Sequence, residues 1–417
     1  MNSCYETGIV HLWNLPENIV LVGLKKGYKL SMLRAIRKSF GKLENLTDNF
    51  GKNRLHLLYN FKNNQKVKLS FLWKVSDILC KKGFKEFAKV KIERDIEFMG
   101  TKRGNTYLFN PKLPFDFNSE AGAYFIAAIL FDGGIDRQYK PHYGNVPFKQ
   151  RKRIVDSAME VFGELKNRES NPNRGYMVRF PKCIGIVLNY CFKIGIGNKM
   201  YSNNKVPAFV FNYPKELKSV FLRQAYDDEG NVAIKKKMIN IVGVTAVKKE
   251  EYKLENTMNK YNLLNDIKKL LLDLEIGSNP IRISQRFYYN KQYSKKGDYY
   301  RHSFRFSISD RKNLKKFNDV VGFNLEYKKT NLQKMLSSYK EWQLRKGEIH
   351  KIALEKAKEL QDRFGYFDNV MLTKEIKRMY RQTVRITDKM LEDGKIKVLE
   401  NAVPIGKGWI PRKFILK

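Results

Sequence analysis

The apolar run YFIAAILFDGGID, Tyr124 to Asp136, carries an acid at its end, followed at once by two glycines. A helix C-terminus already has exposed carbonyls and partial negative charge, so a carboxylate placed there is unfavourable. A second stretch, YPKELKSVFLRQAYDDEGNV (Tyr213 to Val232), repeats the arrangement, with Glu229–Gly230 matching Asp132–Gly133. Here Pro214 suits a first helical turn and Glu216 lies near the positive helix end. The two acids stand 97 residues apart, 132 to 229, about the size of one small α/β half-domain. If the two helices pack side by side, two carboxylates meet at two negative helix ends. A hard divalent cation such as Mg²⁺ relieves both problems, because it accepts carboxylate and phosphate oxygens while keeping some of its waters.

Each copy is followed by strand-like sequence, IDRQYKPHYGNVPF and VAIKKKMINIVGV. A helical pattern then follows, KQRKRIVDSAMEVFGELK in the first half and YNLLNDIKKLLLDLEIG in the second. Two further runs alternate with period two. In IRISQRFYY, Arg282, Ser284, Arg286 and Tyr288 share one face. In RHSFRFSIS, Arg301, Ser303, Arg305 and Ser307 face one way, and Phe304, Phe306 and Ile308 the other. The intervening KKGD, with Gly297, predicts a hairpin turn. One face then packs on helices, and the other is a nearly acid-free ribbon of a width that fits the major groove. Lys235 and Lys237 extend it, and the first half offers Arg137, Gln138, Lys140 and His142.

Charge points the same way. With 81 Lys plus Arg against 42 Asp plus Glu, the formal net charge is +39, which calls for a polyanion, most commonly nucleic acid. No apolar run is long enough to span a membrane, and the first thirty residues lack the features of a signal peptide. The four cysteines (Cys4, Cys80, Cys183, Cys191) show no CxxC spacing, and the five histidines are scattered. Reduced thiols, a cytoplasmic protein and no zinc site are expected.

Four segments follow from these patterns. Residues 1–95 are basic and mostly helical in pattern, either a helix-turn-helix presenting Asn53, Arg54, His56 and Lys62 around Gly51 or a small domain with a solvated basic face. Residues 96–212 and 213–345 hold the two halves. Residues 346–417 read as a joining helix and a winged helix-turn-helix. In that last segment a short helix (Lys374 to Met379), a turn at Tyr380–Arg381 and a second helix through Leu391 precede Gly394 and the strand-like KIKVL and RKFILK. Val384 and Leu391 are expected to point inward. Arg381, Gln382, Arg385 and Lys389 would be exposed to DNA, with Lys407, Arg412 and Lys413 on the wing. A helical cap with no ligand is the alternative.

The segments FIAAILFDG (Phe125 to Gly133) and LRQAYDDEG (Leu222 to Gly230), with their flanks, resemble the nine-residue motif of the LAGLIDADG homing endonucleases over roughly residues 119–340. Ala127 matches the small residues that the family prefers at positions three and seven, whereas Gln224, Phe131 and Asp228 depart from them. The resemblance implies an α+β fold, a pseudo-twofold pair of αββαββα half-domains forming a DNA-binding saddle, here with helical, helix-turn-helix-like N- and C-terminal modules. It implies a monomeric endonuclease, dependent on Mg²⁺ with Mn²⁺ as a substitute, making a staggered cut in a long asymmetric site in double-stranded DNA. Asp132 and Glu229, with Gly133 and Gly230 beside them, would form the metal site. One lysine per half would stabilise the transition state: Lys205, with Lys199 as a rival, and Lys328 or Lys329. An N-terminal Met and a FILK ending favour a free-standing or intron-encoded protein over an intein. A DNA-binding regulator that has lost cleavage, and an intron-RNA maturase, are the alternatives.

Overall fold

The computed structural model describes the chain except for residues 1–3, 43–44, 47–60, 64–65, 103–106, 166–170, 174, 203, 249–261, 290–298, 340–347 and 406–407. Asn53, Arg54, His56, Gly51, Gly297 and Lys407 therefore lie outside the described residues. The chain divides into two compact units, Met1–Tyr339 and Lys340–Lys417. Its class is α+β, as the sequence leads one to expect: helices packed on small antiparallel sheets. No helix among the described residues is long and apolar enough to cross a membrane.

The N-terminal segment is mostly helical among its described residues, but it also carries strands that the sequence pattern did not show. Strands β1 (Val20–Leu24), β2 (Val67–Lys68) and β3 (Ile96–Thr101) accompany helices α1 (Lys26–Phe40) and α2 (Leu69–Lys81). Their sheet takes in β4 (Leu108–Phe109) and β7 (Glu164–Leu165) from the next segment, in the order β2-β1-β3-β4-β7. The segment does not stand apart, because Val20, Trp73 and Ile92 belong to the same apolar core as the motif helices. Apolar runs of five or six residues give too few periods to separate strand from helix, so these strands were not legible.

Helix α3 (Glu120–Leu130) carries the first motif. Ser119 caps it by accepting the Gly122 N–H at 3.1 Å. Strands β5 (Gly133–Ile135) and β6 (Pro141–Gly144), helix α4 (Phe148–Phe162), strand β8 (Met177–Arg179) and helix α5 (Lys182–Phe192) follow, with sheet order β8-β6-β5. The second motif lies on α6 (Lys215–Glu229). After it come β9 (Gly230–Ala233), β10 (Met238–Lys248), α7 (Asn262–Asp273), β11 (Arg282–Tyr289), β12 (Tyr299–Ile308), α8 (Arg311–Val320) and α9 (Glu326–Ser337). The strands form one antiparallel sheet, β9-β10-β12-β11. Its inward face buries Phe304, Phe306 and Ile308 with Ile239 and Ile241. Helices α3 and α6 pack against one another, and α3 is buried almost all round.

A β-bulge between Ile283 and Gln285 corrects the expected ribbon. Arg282 stays opposite Arg305, but beyond the bulge Arg286 registers with His302 and Tyr288 with Tyr300. The extra residue shifts the phase of the strand, so Tyr288 leaves the face of Arg301, Ser303 and Arg305, while the Arg286 side chain lies outside the described residues.

The second unit has its own core, built from Ala353, Ala357, Phe367, Leu372, Ile386, Met390 and Phe414 among others. Helix α10 (Glu348–Phe364) and strand β13 (Phe367–Asp368) precede α11 (Asn369–Ile376) and α12 (Tyr380–Glu392). Asp368 caps α11, accepting the Val370 and Met371 N–H groups at 2.7 Å each. The first helix thus lies earlier than Lys374–Met379, and the turn falls at Lys377, in the left-handed conformation with φ 48°. Strands β14 (Ile396–Glu400), β15 (Val403–Ile405), β16 (Gly408–Ile410) and β17 (Lys413–Leu416) complete the unit, with sheet order β13-β17-β14 and a separate β15–β16 hairpin.

The step from α3 into β5 admits no side chain at Gly133. A Cβ there would lie 2.5 Å from the His142 carbonyl oxygen and 2.7 Å from that of Ala128. Gly133→Ala is expected to destabilise the first unit by about 1–3 kcal/mol, as overpacking does. Chemical denaturation followed by circular dichroism measures the loss.

Candidate active site at the paired helix ends

The two motif helices end beside one another, and a lysine meets each end. Lys199, in a short 3₁₀ turn (Lys199–Tyr201), donates from Nζ to the carbonyl oxygens of Leu130, at 3.1 Å, and Phe131. Lys328, in the first turn of α9, donates to the carbonyls of Tyr226, at 3.0 Å, and Asp227, at 2.5 Å. Carbonyls at a helix C-terminus lack intrahelical partners and carry the negative pole, so an ammonium satisfies both the bonding and the charge.

The acids sit against this frame unequally. Helix α3 stops at Leu130, so Asp132 lies in the turn beyond it, whereas Glu229 is the last residue of α6. The Asp132 Oδ2 accepts the Asn145 amide at 2.9 Å. Asp228 of the second copy reaches across: its Oδ1 accepts the Tyr143 hydroxyl and the Gln224 amide, each at 2.8 Å. Its Oδ2 lies 3.5 Å from the Asp132 N–H. Gln224, wholly buried, also accepts from Gln150 at 3.1 Å. The large polar residues at positions three and seven of the second copy are thus held in a buried network rather than excluded. Asp227 points elsewhere, accepting the Asn324 and Leu325 N–H groups that lead into α9.

Burial raises the Asp132 carboxyl above its ordinary range, and Lys199 and Lys328 pull it part of the way back. Glu229 is raised by burial and then by the charge of Asp132. Asp228 is raised well above the ordinary range by burial and by Asp132. Burial lowers both lysines while these acids oppose the shift, and Lys199 is brought down to about 8. Burial keeps the acids raised even beside two ammonium groups. Their carboxyl oxygens are of the kind that a hard cation such as Mg²⁺ takes. Among the described residues no group of three or more His, Cys, Asp or Glu is arranged to hold a metal ion, so further ligands would have to be waters, backbone or phosphate oxygens.

Of the lysines read from sequence, Lys328 belongs to the site and Lys329 is exposed. Lys205 is a correction: it is exposed and acts on Asp266, while Lys199 takes the place assigned to it. Gly230 closes against α6, where a Cβ would lie 2.4 Å from the Tyr226 carbonyl oxygen. The ring of His142 lies over Gly134 beside Lys199, and burial and then Lys199 lower its pKa. Arg137 and Gln138 are exposed in the β5–β6 turn, in which Asp136 accepts the N–H groups of Gln138 and Lys140.

In the second half a cleft of about 870 Å³ is lined by Asn231, Lys235, Asn240, Arg282, Arg305 and Ser307 among others. Lys237 does not extend this surface; it donates to the Ser338 carbonyl at 3.2 Å and lies 4.3 Å from the Tyr339 ring centre. Ser303 is buried, and Ser284 donates to its carbonyl at 3.0 Å within the bulge. Arg301 is half-buried and Arg305 exposed.

In the second unit Arg381, Gln382 and Arg385 are exposed on α12. Lys389 is exposed as well, and pairs with Asp393 at 3.2 Å and Glu392 at 3.5 Å. The buried side of that helix is Thr383, Ile386, Thr387 and Met390, with Val384 and Leu391 only half-buried. The sequence reading missed Tyr143, Asn145, Gln150 and the role of Asp228. Asp228 was visible only as a departure from the motif, and nothing local to the other three marked them.

No family model matches the chain. Over 237 residues, 54% of its length, the chain is 26% identical to a probable translation initiation factor IF-2 of Methanocaldococcus jannaschii, and it spans only 17% of that protein. Among solved structures it is similar to full-length DUF199/WhiA from Thermatoga maritima, at 10% identity, covering 68% of this chain and 93% of that one. The TM-score of 0.30 is too low to define the fold.

Because the folded state holds Lys199 at about 8 rather than 10.5, it binds fewer protons than the unfolded chain between those pH values. The stability contributed by Lys199 therefore rises with pH across that window and is lost as pH falls through the lower value. Lys199→Met is expected to remove this dependence. Unfolding free energies of wild type and K199M, measured at several pH values, should differ by an amount that grows between pH 8 and pH 10.5.

Proposed function

We propose that this chain is a LAGLIDADG-type endonuclease that hydrolyses both strands of a long, asymmetric DNA site in the presence of Mg²⁺, acting as a monomer. The observation that carries the reading is the pair of acids, Asp132 and Glu229, at the ends of two packed helices whose carbonyls are already met by Lys199 and Lys328. In this reading the sheets β8-β6-β5 and β9-β10-β12-β11 are the halves of a pseudo-twofold saddle. Duplex DNA lies along their polar faces, with Arg137 and His142 on one and Lys235, Arg282 and Arg305 on the other.

Asp132 and Glu229 would hold Mg²⁺ through carboxylate oxygens, and the ion would supply Lewis acidity and positive charge for the phosphate. Hydrolysis forms a bond from the water oxygen to phosphorus and breaks one backbone P–O bond, with the proton ending on the leaving oxygen. Each ammonium has three N–H donors, two of them directed at helix carbonyls; the third meets phosphate charge as it develops. His142, kept neutral beside Lys199, adds no further charge there. Arg381, Gln382 and Arg385 of the second unit add contacts to flanking DNA.

The test is incubation of the full chain with a random duplex library, with and without Mg²⁺, and sequencing of the ends. Reproducible staggered ends that require Mg²⁺ are expected. Asp132→Asn and Glu229→Gln should each lower the cleavage rate by about 10²-fold or more while leaving DNA binding in place. Tight binding to one duplex with no cutting at any metal would support the regulator instead, and preference for structured RNA the maturase.

A further inference from the structure

Asn145 donates directly to the Asp132 carboxylate, and it does so from the end of the β6 hairpin rather than from either motif helix. The same amide donates to the Tyr143 hydroxyl at 3.1 Å and approaches Asp228 Oδ1 at 3.5 Å. Asp228 in turn gathers Tyr143 and Gln224, and its second oxygen faces the Asp132 N–H. Asp228 is enclosed by these donors, so its oxygens are engaged inside the fold rather than directed at a ligand. Glu229 is placed differently, beside a cavity of about 190 Å³ that Phe131, Lys199, Asn204 and Val242 help to line. One acid is therefore clamped and the other faces open space.

The geometry points to Asn145 and Asp228 as a positioning pair, in which a carboxyl of the second motif copy locks Asn145 so that Asn145 fixes the Asp132 carboxylate for a divalent cation. A carboxylate held in one rotamer presents its remaining lone pairs without paying the entropy of ordering them at each binding event. The inference rests on the proposal that Asp132 binds Mg²⁺.

Isothermal titration of the full chain with Mg²⁺ alone, without DNA, tests it, with thermal melting in chelator as the fold control. Asn145→Ala should weaken Mg²⁺ binding by about 10- to 100-fold, the usual effect of losing a partner of a ligating group, at an unchanged melting temperature. Asp228→Asn keeps an acceptor for Tyr143 and Gln224 and should bind Mg²⁺ as the wild type does. Asp228→Val removes that acceptor and should weaken binding. Adding N145A to D228V should then cost little more, because the two act as one unit. If wild type binds Mg²⁺, Asp132→Asn does not, and N145A binds as tightly as wild type, the pair has no such role and the endonuclease reading stands. If wild type binds no Mg²⁺, or D132N binds it equally well, both fall together.

Discussion

A buried ammonium set against the carbonyls of a helix end is the contact on which the centre of this molecule depends, and it occurs twice. Lys199 meets the carbonyls of Leu130 and Phe131, and Lys328 those of Tyr226 and Asp227, at two adjacent negative poles, where a buried carbonyl left without a partner costs about 1–3 kcal/mol. The acids Asp132, Asp228 and Glu229 would add charge to the same place. Both lysines come from elements distant in sequence from the helices they serve, one following α5 and the other beginning α9. The helix ends are therefore completed by tertiary structure, not by local caps. Burial holds both carboxyls high against the pull of the two ammonium groups, and the charge of Asp132 raises Glu229 further. The fold thus satisfies its helix ends and keeps the acids beside them largely out of water.

The two halves solve one problem with different residues. Ala127 permits close approach on α3, while the corresponding Gln224 on α6 enters a chain of hydrogen bonds with Gln150 and Asp228. Phe131 packs edge-on against Phe221, with ring centres 6.4 Å apart. The first sheet has three strands and the second four. Such inequality leaves no symmetric surface, so a partner spanning both halves meets two different faces.

What was legible in the sequence was periodic or local. Both motif helices, the strand pairs after them and the buried face of Phe304, Phe306 and Ile308 follow from the 3.6 and 2.0 residue periods. The bulge before Gln285 has no periodic signature, so the expected face failed beyond it. Lys205 lies nearer in sequence to the second motif than Lys199, yet the 3₁₀ turn, not proximity, decides which lysine reaches the α3 carbonyls. On α12 the period was right but the identities were wrong. Thr383 and Thr387 are buried because Thr373 and Asn369 accept or share their hydroxyl bonds, so polar residues occupy positions that apolarity alone would assign to Val384 and Leu391. Asn145 left no local signal and Asp228 only a departure from the motif, because the network that joins them is made by residues far apart in sequence.

The net charge of +39 then separates into two populations with opposite energetics. Exposed lysines and arginines, such as Arg305 and Lys235, cost little to keep in water and act at a distance that salt shortens to about 8–10 Å. Exposed ion pairs between helical neighbours, such as Lys152–Asp156 and Lys356–Glu359, contribute at most about 0.5 kcal/mol each, so these cations do little to stabilise the fold. Stability comes from the apolar core shared by the motif helices and sheets. The surface excess therefore opposes compactness by self-repulsion until a polyanion neutralises it. Lys199 and Lys328 form the other population: lowered by burial and raised by the acids they face, they respond to charge within the site and hardly to salt outside it. A polyanion along the sheets would thus be attracted by the first set of cations, while the second answers to the acids that it faces.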